Sequence, residues 1–102
     1  MRGDGRSATM TEQQPTPGQR TQLQRISSIY WALVGEQLTP GVPITYCLIE
    51  RGTGRMMRQI APQMVASLLQ AGWIEPDGTG NARRWGYRIT FAGIRARDAG
   101  WG

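Results

Sequence analysis

One cysteine, no histidine and no lysine are the first constraints on any chemistry this chain of 102 residues could perform. Without histidine there is no Ser-His or Cys-His pair, no imidazole base and no imidazole metal ligand. Without lysine there is no Schiff base and no phosphate-loop cation. Cys47 reads as a buried free thiol, and a lone cysteine can neither close a disulfide nor seed a metal cluster. The seven acidic residues are scattered, with no pair spaced for two-carboxylate catalysis. No catalytic residue, metal site or cofactor is therefore expected. What remains is arginine, which supplies all of the basic charge. Residues 1–50 balance four arginines against four acids, whereas residues 51–102 carry eight arginines against Glu75, Asp77 and Asp98, so the whole net charge of +5 lies in the second half. That asymmetry points to a polyanionic partner.

The elements that would position those arginines are read from periodicity. Residues 1–20, rich in Gly, Thr, Gln, Pro and Ser, read as a disordered tail, within which Met10 offers a native start and makes residues 1–9 a leader or an appended segment. One folded domain is expected over residues 21–102. Thr21 and Gln24 have capping-box spacing, and Leu23, Ile26, Ile29, Tyr30, Leu33, Val34 and Leu38 draw a helical stripe through about Gln37. Thr39-Pro40-Gly41 and Pro43 break the chain. Ile44–Arg51 fits either a strand or a short helix, and the helix, from Tyr46 to Arg51, is the favoured reading. Met57–Ala71 reads as a helix with Met57, Ile60, Ala61, Met64, Leu68 and Ala71 turned inward; Pro62 either kinks it or marks its first turn. After Gly72, a strand from Trp73, a turn at Pro76–Asn81 and a strand over Arg83–Thr90 predict a hairpin, and Thr90 opens a last short helix. Trp73, Trp85, Tyr87, Met57 and Met64 are expected in the core, while Tyr30 and Trp31, being adjacent, cannot both face it.

Leu68-Leu69-Gln70-Ala71-Gly72-Trp73-Ile74 resembles the exit from recognition helix to first wing strand in the winged helix-turn-helix family of bacterial and phage regulators. Tyr87-Arg88-Ile89-Thr90-Phe91-Ala92-Gly93 resembles that family's passage from second wing strand to closing helix. The resemblance covers about residues 21–98 and implies an α+β fold: a small winged helix-turn-helix domain with three helices, a two-stranded wing and a short C-terminal helix. It further implies that Arg58, Gln59 and Gln63 read base edges from the major groove. Arg55 would meet a phosphate, and Asn81, Arg83 and Arg84 on the wing would meet the backbone or minor groove. The implied function is sequence-specific binding of double-stranded DNA by a transcriptional regulator. A homodimer is expected, paired through the first or the C-terminal helix. The alternative is a winged-helix module that binds a host protein, such as a small phage-encoded inhibitor. No stretch approaches the roughly 18 apolar residues of a membrane span, and no secretory signal is visible, so the expected location is the cytoplasm.

Overall fold

In the computed structural model, which describes residues 14–99, helix α1 (Pro17–Ile26) opens on Thr16. The Thr16 hydroxyl accepts from the Gln19 backbone N–H at 3.1 Å, and the Gln19 side chain accepts from the Thr16 N–H at 2.9 Å. Thr16–Gln19 has the same spacing as Thr21–Gln24, with the advantage of Pro17 at the first helical position, where its fixed φ suits the helix. The Thr21 hydroxyl instead donates back to the Pro17 carbonyl. The helix therefore starts at Pro17 and not at Thr21. The readings of residues 1–9 and of a start at Met10 lie outside the described residues.

The long first helix of the sequence reading ends early. The Ser27 hydroxyl donates to the Gln24 carbonyl and the Ser28 hydroxyl accepts from the Tyr30 N–H, so both serines offer the backbone partners that compete with continued helix. The β-branched and aromatic residues that follow suit an extended chain. They form β1 (Trp31–Glu36), which turns through Gly41, at φ +92°, into β2 (Thr45–Glu50). The favoured helix over Tyr46–Arg51 is thus a strand. The Gly52–Gly54 turn leads to β3 (Met56–Ile60), so the segment read as the first part of a recognition helix is extended as well. Pro62 begins α2 (Pro62–Gln70), as a first-turn residue, and Gly72, at φ +76°, ends its exit turn. The hairpin read from the sequence is present as β4 (Ile74–Gly80) and β5 (Arg84–Ile89), followed by α3 (Phe91–Ala99).

The five strands form one antiparallel sheet in the order β3-β2-β1-β5-β4. A winged helix with a two-stranded wing is therefore incorrect for this chain, although the broader α+β class holds. The decisive strand is β1, because it pairs with β2 on one side and with β5 on the other and so joins two hairpins into a single sheet. The expected wing is not free-standing: the Gln37 N–H donates to the Arg83 carbonyl at 2.8 Å, which seats the hairpin tip against the end of β1.

Strand alternation sorts the sheet into two faces. Leu33, Leu48, Ile60, Ile74 and Tyr87 lie on one face and share a core with Leu23 and Ile26 of α1, Val65 and Leu68 of α2 and Ala96 of α3. All three helices therefore cover this face. Met57, expected inward, is 39% exposed, and Val65, which the sequence reading assigned to neither face, is fully buried, because the helix starts at Pro62. Trp73 and Tyr87 are buried and Trp85 and Met64 pack against the core. Trp31 also packs there, beneath the Arg25 guanidinium, while Tyr30 is exposed. The two glycines in the sheet centre face opposite ways. A Cβ on Gly35 would meet the Trp85 indole at 2.9 Å, and one on Gly86 would meet the Asp77 carboxylate at 2.7 Å.

Candidate functional site

The β4–β5 tip is built around Asn81. Its side-chain oxygen accepts from the N–H groups of Arg83 (2.8 Å) and Arg84 (3.1 Å), and its own N–H donates to the Arg84 carbonyl at 2.7 Å. An asparagine that holds its own turn in this way fixes the backbone without using either arginine head. Gly80 is required beside it: its φ is +91°, and a Cβ there would run into the Arg84 carbonyl. Arg83 and Arg84 are exposed, and neither makes an ion pair among the described residues.

The other sequence-read residues do not join them on one surface. Arg58 and Gln59 are exposed on β3, an edge strand, where they point to opposite faces: Arg58 is paired with Leu48 and Gln59 with Cys47. Gln63 lies in the first turn of α2, at the same end of the sheet as the hairpin tip. Three inter-strand spacings separate β3 from β5, or about 14 Å at ordinary strand separation. Arg55 is at the opposite end of β3, within 3.9 Å of Glu50. The helix that would have presented Arg58, Gln59 and Gln63 as one row is a strand, a break and a helix.

The second face of the sheet has a different character, and the sequence reading missed it. Across β3, β2 and β1 it carries Met56, Cys47, Ile49, Ala32 and Val34 together with the polar Gln59, Thr45 and Glu36; across β5 and β4 it carries Arg84, Arg88, Glu75 and Asp77. A shallow hollow of about 180 Å3 lies on it, lined by Val34, Glu36, Cys47, Ile49, Gly54, Met56 and Arg84. The alternation in Thr45–Glu50 was the available signal for this face. Burial pushes the Cys47 thiol up, Glu36 adds to the shift and Arg84 partly offsets it. The shift favours the protonated thiol, which suits a packing role. The Thr79 hydroxyl beside Asp77 holds that carboxyl below its ordinary value against a smaller opposing effect of burial, with help from the Thr79 N–H and from Arg88 and Arg51. Arg88 also pairs with Glu75 at 2.7 Å.

Among the described residues no three His, Cys, Asp or Glu side chains group as metal ligands, and no helix is long and apolar enough to cross a membrane. No protein-family model, curated protein or solved structure matches the chain.

Proposed function

We propose that the protein binds double-stranded DNA without catalysing a reaction, chiefly through arginine–phosphate contacts at the β4–β5 tip. The observation that carries this reading is the pair Arg83–Arg84: adjacent, exposed, fixed by Asn81 through the backbone alone, and without an acidic partner among the described residues. Two neighbouring exposed cations that form no salt bridge among the described residues are suited to a partner that supplies negative charge. The concentration of the entire +5 excess in residues 51–102 supports the same reading.

The geometry favours contacts to the DNA backbone over readout of base edges. No helix gathers Arg58, Gln59 and Gln63 into a row, and phosphate contacts carry affinity with little sequence information. Asn81, at the tip with the arginines, is the remaining sequence-read residue placed to approach the same duplex.

A salt titration of duplex binding tests this. The double substitution Arg83→Ala, Arg84→Ala is expected to weaken binding to unrelated duplexes alike. It should also flatten the slope of log K against log salt by about 1.8, the share of two phosphates at about 0.9 each. A slope and affinity that survive the loss of both arginines contradict the assignment of the tip, and no duplex binding at low salt contradicts the function.

A further inference from the structure

We propose that Leu38 kinks the duplex held at the β4–β5 tip by entering one base step, so that the preferred partner is DNA that bends easily. This inference rests on the DNA reading above and deepens it. Leu38 belongs to the β1–β2 loop, which runs from Gln37 to Ile44. The Gln37 N–H donates to the Arg83 carbonyl at 2.8 Å, one rung beyond the Glu36–Arg84 pair of the β1–β5 register. Past that rung the hairpin closes through Asn81 and Ala82, whereas the neighbouring loop continues from Leu38 to Pro43. The longer of two adjacent loops thus begins directly beside the two exposed arginines.

The loop has the composition and the bonding of a stiff apolar prong. From Gln37 to Ile44 it carries no charged side chain, while Leu38 is 65% and Val42 40% exposed. The Gln37 side-chain amide donates to the Val42 carbonyl at 2.9 Å, and the Val42 N–H donates to the Thr39 carbonyl at 3.3 Å. Pro40 and Pro43 restrict φ on either side of Gly41, which takes φ +92°. Gln37 therefore ties the loop together through its side chain and to the arginine tip through its backbone. A loop closed on itself in this way has little freedom left to lose on binding.

Cations beside an exposed apolar side chain suit a duplex groove. Arginines on the phosphates bring the loop against the groove, where an apolar residue such as leucine can enter a base step, unstack it and kink the duplex by about 20–90°. Unstacking is easiest at pyrimidine–purine steps such as TA and hardest in stiff A-tracts. A sequence preference then arises without any contact to base edges, which accords with the separation of Arg58, Gln59 and Gln63. Other exposed apolar side chains are not placed for this: Ile29 and Tyr30 precede β1, Met56 begins β3 and Phe91 follows β5, all at the end of the sheet away from the tip.

Two duplexes of about 20 base pairs, alike except for a central TA step in one and a central A-tract in the other, carry donor and acceptor dyes at their ends. The full chain is expected to raise energy transfer on the TA duplex and to bind it at least about tenfold tighter than the A-tract duplex. Leu38→Ala should abolish the rise and cut the preference to less than about twofold, with the slope of log K against log salt unchanged. Leu38 is mostly exposed, so this variant should keep the parent circular dichroism spectrum. Phe91→Ala, at the opposite end, should leave bend and preference intact. Salt-dependent binding with no rise in transfer, equal affinity for the two duplexes, a rise that Leu38→Ala retains or one that Phe91→Ala abolishes overturns the kink and leaves the DNA reading standing. No binding of either duplex at low salt overturns both.

Discussion

Alanine in place of Gly93 is expected to lower the thermal midpoint by about 10–20 °C, a loss of about 2–3 kcal/mol for a domain of this size. The sign is informative, because glycine to alanine inside a helix ordinarily stabilises by up to about 1 kcal/mol. Gly93 lies in α3 where the helix crosses the α2–β4 junction. A Cβ there would overlap the Trp73 carbonyl oxygen and come within 2.6 Å of an Ile89 side-chain carbon. The carbonyl cannot retreat cheaply, since it already accepts the Thr90 N–H at 2.9 Å. The Thr90 hydroxyl reinforces the same junction by donating to the Gly72 carbonyl at 2.6 Å and accepting the Gly93 N–H at 3.0 Å. Relief would require moving α3 away from the sheet. A melting curve followed by circular dichroism checks this, and a midpoint equal to or above that of the parent chain contradicts the packing described.

Leu33→Ala and Val34→Ala, one residue apart, are expected to differ sharply. Leu33 is wholly buried between Leu48 and Tyr87 on the helix-bearing face, so its truncation should cost about 2–5 kcal/mol through lost burial and the cavity left behind. Val34 points to the free face, and its truncation should cost less than about 1 kcal/mol. Denaturant unfolding separates the two values. Similar losses at both positions would indicate a shared face, as on a helix, where neighbouring residues of an apolar stripe are both covered.

The same pair explains what the sequence made legible. Leu23 to Leu38 satisfies helical spacing, yet Trp31, Leu33 and Gly35 also satisfy the two-residue period of a strand, and Ile29-Tyr30-Trp31 favours the extended form. What decides the matter is pairing with β5, which lies far along the chain and leaves no local mark. Ile44–Arg51 was ambiguous for the same reason. Signals that act within a few residues were readable: Pro62 at a helix start, the stop at Gly72, the Pro76–Asn81 turn and the cap at Thr90. The two motifs that resemble a winged helix belong to this second kind. Gly72 supplies a positive φ, and Thr90 and Gly93 lock a closing helix onto the preceding junction, tasks equally required in a five-stranded sheet. Of the residues read as a site, Asn81, Arg83 and Arg84 stay together because their turn is local. Arg58, Gln59 and Gln63 separate because their shared face depended on a helix that is not there.

The central claim is that Trp31–Glu36 is the middle strand joining both hairpins. Nuclear Overhauser contacts in the full chain test it most directly. The predicted result is inter-strand contacts from Leu33 to both Leu48 and Tyr87, in the antiparallel register described. Sequential helical amide contacts running from Leu23 through Gln37, with none to either neighbour, would contradict it.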